Sequence, residues 1–145
     1  MRVLALDIGE KRIGIAHGDT VTKIAMPIST IDTREALSGS KHFRDLIQEY
    51  EPELLVAGLP ISLDGQENSQ AQRVREIAEF IAKMVELPLF YQDERLSSVE
   101  AKRYLRERGC TQREMRGRID MVAASLILQT YLDSSQIEHP GDACL

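Results

Sequence analysis

Cysteine is scarce: Cys110 and Cys144 are the only two in 145 residues, and neither stands in a C-x-x-C pair or a Cys/His ligand spacing. That excludes a disulfide framework and a thiolate zinc site, and makes reduced bystander thiols the expected state. Long apolar runs are missing too. No stretch approaches the roughly 18 consecutive apolar residues that span a bilayer, and the first residues read as a core strand, with none of the pattern of a signal peptide. A cytoplasmic protein with no membrane partner is the expectation. Basic charge is in overall deficit, with 18 Lys and Arg against 23 Asp and Glu and a net of −5. Proteins that hold polyanions generally carry an excess of cations.

The distribution of charge reverses that last exclusion. From Arg95 to Arg118 there are eight basic residues and three acids, so the acid excess belongs to the rest of the chain. A basic stretch beside a set of acids suits an enzyme that grips a phosphate backbone while cations sit on its carboxylates; a solvated helix face would carry the same charges. The length fits one domain with a real hydrophobic core. We expect that domain over 1–135, followed by a loose tail over 136–145.

The most informative stretch is Val3-Leu4-Ala5-Leu6-Asp7-Ile8-Gly9-Glu10-Lys11-Arg12-Ile13-Gly14-Ile15-Ala16. Two apolar runs flank a short glycine-bearing turn, which predicts an antiparallel hairpin. Period-two alternation places Asp7 on one face with Val3 and Ala5. A carboxylate among small apolar side chains is costly unless its charge is compensated, by a divalent cation, by Arg12 or by a backbone amide.

Further along, Lys23 to Ile31 reads as a third strand, kept to a sheet edge by Pro27. His17 reads as a structural residue. Ser40 caps a helix with Phe43, Leu46, Ile47 and Tyr50 on one face, ended by Pro52. Leu54 to Leu59 has no polar face and so predicts a buried parallel strand beside the first. The loop after it carries Ser62 and Asn68, either ligand groups or plain turn and cap chemistry, and leads to a helix that Ser69 and Gln72 open as a capping box. Leu87 to Gln92 is a fifth strand running into Asp93-Glu94-Arg95. Ser97 with Glu100, and Thr111 with Glu114, are two more capping boxes. The last helix, Arg118 to Ser134, has a stripe of Ala123, Ala124, Ile127, Leu128 and Tyr131, and Asp120 lies one turn back on the same face.

A mixed sheet of order 3-2-1-4-5 would end the first and fifth strands on the same side, with the last helix folding back over that edge. Asp7, the Asp93-Glu94 pair and Asp120 would then converge. Converging carboxylates repel, and hard divalent cations, Mg²⁺ or Mn²⁺ for an all-oxygen set, would relieve that repulsion and activate water against a phosphodiester.

Asp7-Ile8-Gly9 with Lys11-Arg12-Ile13-Gly14-Ile15-Ala16, Val56-Ala57-Gly58-Leu59-Pro60 with Asp64-Gly65, Asp93-Glu94-Arg95-Leu96-Ser97, and Ile119-Asp120 with Ala123-Ala124 and Ile127-Leu128-Gln129 resemble the YqgF family, also called RuvX. The resemblance covers nearly the whole chain. It implies an RNase H-like α/β fold, a five-stranded mixed sheet with helices on both faces, related to RuvC-type Holliday junction resolvases. It also implies a nuclease that matures the 5′ end of the 16S ribosomal RNA precursor, with junction resolution on branched DNA as the alternative. Carried over by position, Asp7 and Asp120 are catalytic and metal-binding acids; the third falls in Asp93-Glu94-Arg95, where the motif does not choose, and since only one of the pair can share a face with Asp7 we take Glu94, with Asp93 the alternate. Lys11, Arg12, Arg95, Ser62, Asn68 and Arg118 are the substrate-binding candidates, Arg95 and Lys11-Arg12 either on phosphate or paired with the acids. No fourth acid is evident near Asp120, which leaves the number of cations open. A sugar-kinase-like ATPase would need a second lobe, and a non-catalytic RNA-binding factor would have no use for three acids beside RNA. The sequence does not decide between monomer and homodimer.

Overall fold

A computed structural model describes residues 1–61, 66–94 and 97–134. β1 (Arg2–Ile8) and β2 (Arg12–Asp19) pair antiparallel from Arg2↔Asp19 to Ile8↔Ile13, and the Gly9 N–H donates to the Arg12 carbonyl at 2.8 Å across the turn. β3 (Ala25–Asp32) adds antiparallel to β2. It begins two residues later than the expected Lys23, because Lys23 takes a positive φ of 58° and its N–H closes a turn onto the Asp19 carbonyl. Pro27 does lie on an edge strand, where the β2–β3 register shifts at Ile15/Ala16 and a missing amide costs least.

β4 (Leu54–Pro60) runs parallel to β1, and β5 (Leu89–Glu94) parallel to β4, giving the expected order β3-β2-β1-β4-β5. β5 differs from the expected Leu87–Gln92 at both ends. The Leu87 N–H is spent on the Ala82 carbonyl at the preceding helix end, while pairing with β4 continues to Pro60↔Glu94.

The helices are α1 (Thr33–Ser38), which the sequence pattern does not announce, α2 (Lys41–Tyr50), α3 (Ser69–Val85), α4 (Ser97–Glu107), α5 (Gln112–Arg116) and α6 (Ile119–Asp133). Ser40 caps α2 by accepting from Phe43 N–H, and Thr111 with Glu114 forms a reciprocal capping box on α5. At α3 the expected Ser69–Gln72 box is replaced. Asn68 is the extended cap residue and its Oδ1 accepts from the Ala71 N–H at 3.1 Å, which makes Ser69 the first helical residue. α4 begins at Ser97 itself, the residue expected to precede it as cap; the tail over 136–145 lies outside the described residues.

The sheet separates two cores. On one face Leu4, Leu6, Ile13 and Ile15 pack with Phe43, Val74 and Ile81 of α2 and α3. On the other, Val3, Ala5, Ala16 and Val56 meet Ala124, Ile127, Leu128 and Tyr131 of α6. A third cluster, Ala101, Leu105, Met115, Val122 and Ala123, fastens α4 and α5 to α6. Odd-numbered residues of β1 therefore face α6, and Asp7 is one of them.

Candidate active site

Asp7 lies near the end of β1, opposite Gly14 of β2 and next in register after the Leu6↔Ala57 pair, which brings it level with Gly58 of β4. Both neighbours lack a side chain for a packing reason. A Cβ on Gly14 would stand 1.9 Å from the Asp120 carbonyl oxygen, so the first turn of α6 rests directly on the β2 backbone there. A Cβ on Gly58 would stand 2.5 Å from Ile127 Cδ1 and 2.7 Å from Glu94 Oε2, so the Glu94 carboxylate fills the space above Gly58. These two bare positions bring acids from α6 and β5 to either side of Asp7.

The electrostatics follow from that placement. Burial first, then the charges of Glu94 and Asp120 and a hydrogen bond with Glu94, push the Asp7 carboxyl from 3.8 up to about 8. Of the Asp93-Glu94 pair, Glu94 is the one beside Asp7; Asp93 is exposed, as alternation along β5 requires. Both line a cleft of about 350 Å³ together with Gln92, Glu100, Ile127 and Thr130.

Asp120 is drawn the other way. Its Oδ2 pairs with Arg12 Nε at 3.2 Å on the rim of a recess of about 520 Å³ that Lys11 also lines. Arg12 thus makes the pairing with an acid that the sequence left open, from a side chain 57% exposed. Among the described residues, no three Asp, Glu, His or Cys side chains stand gathered as a ready metal cage. The reason is visible in the two separate partnerships, Asp7 with Glu94 and Asp120 with Arg12. The donor set is nonetheless all oxygen, and a half-buried carboxyl held so far above its ordinary range fits a position where a hard cation would replace a proton.

Of the other sequence candidates, Ser62 and Arg95 lie outside the described residues. Asn68 has its side-chain oxygen engaged as the cap of α3. Arg118 is exposed and lines a different groove, with Tyr104 and Arg108. His17 is on the opposite sheet face, its ring 4.8 Å from that of Tyr50, with burial lowering its basicity and its Nε2 buried without a hydrogen-bond partner.

Two residues escaped the sequence reading. Gln92 shares a strand face with Glu94, and its Oε1 is buried without a hydrogen-bond partner; stepping back two from Glu94 would have found it. Arg73 of α3 reaches across to the hairpin turn, donating from Nη1 to the Gly9 carbonyl at 2.8 Å and from Nη2 to the Glu10 carbonyl at 2.6 Å. No local sequence signal announces that contact.

Comparison with known proteins bears on the family and the fold. The family described as "RuvX: Holliday junction resolvase" matches residues 1–134. A Roseiflexus sp. (strain RS-1) protein named "Putative pre-16S rRNA nuclease" is 38% identical over 135 residues, covering 93% of this chain and 96% of its own. One of the same name from Thermosynechococcus vestitus is 43% identical, covering 91% and 87%. Among solved structures, T. thermophilus RuvC in complex with a Holliday junction substrate superimposes with a TM-score of 0.54 at 12% identity, over 92% of this chain and 97% of that one. The fowlpox virus Holliday junction resolvase gives 0.53 at 15%, over 92% and 99%. At such identities the likeness is one of fold, the RNase H-like fold of RuvC. The family match over nearly the whole chain, with relatives of this identity and coverage, makes this protein a member of the RuvX (YqgF) family of nucleases.

Proposed function

We propose that this nuclease hydrolyses a phosphodiester at the 5′ end of the 16S ribosomal RNA precursor, in the cytoplasm, with Mg²⁺ or Mn²⁺ held by Asp7, Glu94 and Asp120. The observation that carries the reading is the Asp7 carboxyl, half-buried at a strand end, bonded to Glu94 and pressed by Asp120, with its proton held up to about 8. A bound divalent cation supplies Lewis acidity and an activated water at such a site. The protein's part is to hold the acids on rigid elements: Asp7 and Glu94 on parallel-running strands, Asp120 on the first turn of α6, where the helix dipole favours an anion by about 0.3–1 kcal/mol. Lys11 and Arg12, which line the recess beside Asp120, take substrate phosphate on this reading, Arg12 by exchanging Asp120 for the incoming oxyanion. Precursor RNA is favoured as substrate by the shared name of the similar proteins.

Holliday junction cleavage is the second reading, favoured by the description of the family. The test presents purified protein and its Asp7→Asn variant with a precursor 16S fragment and a four-way DNA junction, with and without Mg²⁺ or Mn²⁺. Cation-dependent cleavage of the RNA, lost in Asp7→Asn, is the expected result. Cleavage of the junction alone would transfer the assignment to DNA, and cleavage retained by the variant would refute the site.

A further inference from the structure

The first turn of α6 is a wall between two recesses. Asp120 faces the one that holds Arg12, while Arg118, Met121 and Val122 line a groove of about 550 Å³ on the other side, closed by Tyr104 and Arg108 of the α4 end. There the Arg108 guanidinium lies over the Tyr104 ring at 4.4 Å from its centroid, and Tyr104 remains 41% exposed. A ring and a guanidinium stacked in an open groove form a platform of delocalised surface that none of the acids requires.

The charge around it is one-sided. Between Lys102 and Arg118 there are seven basic residues and two acids, and both acids are engaged locally. Glu107 pairs with Arg103 at 3.7 Å, and Glu114 is tied into the capping box with Thr111, at 2.9 Å from its hydroxyl. Among the described residues no acid pairs with Lys102, Arg106 or Arg113. In a chain whose net charge is −5, this arm is positive and continuous with the wall that carries Asp120.

We propose that the groove is a base-binding subsite: one nucleobase of the single-stranded RNA flanking the cleaved phosphodiester stacks on the Tyr104–Arg108 pair, while the cations of α4 and α5 follow its backbone. Stacking on an aromatic ring tolerates any base, because every base has a π face, and an arginine already lying on the ring adds a cationic surface to the same stack. A strand whose phosphate reaches Asp120 passes over the first turn of α6, and the groove is what it meets next. The subsite rests on the nuclease reading above and extends it to a single-stranded substrate. Duplexed bases have no free face to offer.

The test uses the Asp7→Asn protein, so that RNA is bound and not cut, with a short single-stranded oligoribonucleotide from the precursor flank carrying 2-aminopurine at successive positions. The expected result is fluorescence quenching at one position, lost in Asp7→Asn/Tyr104→Leu together with about 5- to 100-fold of affinity and kept in Asp7→Asn/Tyr104→Trp. Arg108→Gln on the same background weakens binding and lowers the slope of affinity against log salt by about one. Unchanged affinity and quenching in the Tyr104→Leu protein would overturn the subsite, as would a dimer that this substitution converts to monomer, which would make the groove a self-contact. Cleavage by the protein with Asp7 intact is scored separately. If it fails while stacking depends on Tyr104, the cleavage reading falls and the subsite stands; if it succeeds while Tyr104 is irrelevant, the reverse holds.

Discussion

Gly14 and Asp120 meet through main chain, with 1.9 Å between the place of an absent Cβ and the Asp120 carbonyl oxygen. No rotamer change can relieve an intrusion there, because the obstacle is helix backbone. Gly14→Ala therefore lifts the first turn of α6 from β2. The expected cost is about 1–3 kcal/mol of stability, with cleavage lost even at temperatures where the variant is folded. Urea unfolding and an activity assay on the same preparation check both parts.

The proton on Asp7 gives the metal-free protein a signed pH dependence. Its folded-state value is raised to about 8 from 3.8, so its contribution to stability is complete below about pH 4 and drains away as pH rises through 8. In chelator, the Asp7→Asn variant escapes that loss. Its melting temperature is expected to exceed that of the parent by a margin that widens from pH 5 to pH 8, reaching roughly 5 °C or more. Added Mg²⁺ or Mn²⁺ should restore the parent and leave the variant unmoved. A margin that stays constant with pH would contradict the placement of Asp7.

The two neighbouring acids of β5 should behave oppositely. Glu94 touches Asp7, whereas Asp93 is exposed. Glu94→Gln is expected to lower kcat by about 10²-fold or more, a loss of roughly 3 kcal/mol of transition-state stabilisation, and Asp93→Asn to change it less than about threefold. Single-turnover cleavage of the precursor RNA separates them, and equal losses would reopen the choice.

Arg12 holds Asp120 at 3.2 Å from an exposed position. Arg12→Gln frees that carboxylate, so the variant is expected to bind Mn²⁺ more tightly in the absence of RNA, by about three- to tenfold, while KM for RNA rises. Calorimetric Mn²⁺ titration reads the first and steady-state kinetics the second. Weaker Mn²⁺ binding would mean that Arg12 props Asp120 in place for the cation.

The sheet was legible because its signals were local. An apolar run buried on both faces marks β4 as a parallel interior strand, and a two-residue period puts Asp7 with Val3 and Ala5 and separates Glu94 from Asp93. The α6 stripe likewise aimed Asp120 at the core, whereas its carboxylate turns to Arg12 on the rim of a recess. What stayed hidden depends on distance or on near-equal choices. Arg73 grips the turn carbonyls of Gly9 and Glu10 from more than sixty residues away in sequence, and no spacing rule reaches that far. Arg12 was left between substrate phosphate and an acid, and the approach of α6 over Gly14 is what brings Asp120 within its reach. Asn68 and Ser69 are adjacent residues of similar capping chemistry, and only the extended backbone at Asn68 separates them. α1 is a six-residue helix whose buried positions are Thr33 and Ala36, too little apolar pattern to announce itself.

The three acids come from β1, β5 and α6, so the chain must be almost wholly made before they share a space. A ribosome synthesising this protein exposes Asp7 early, yet Glu94 can join it only once β5 is made, and Asp120 only when α6 settles on Gly14. On the proposed reading, a growing polypeptide therefore has no assembled site until α6 is in place.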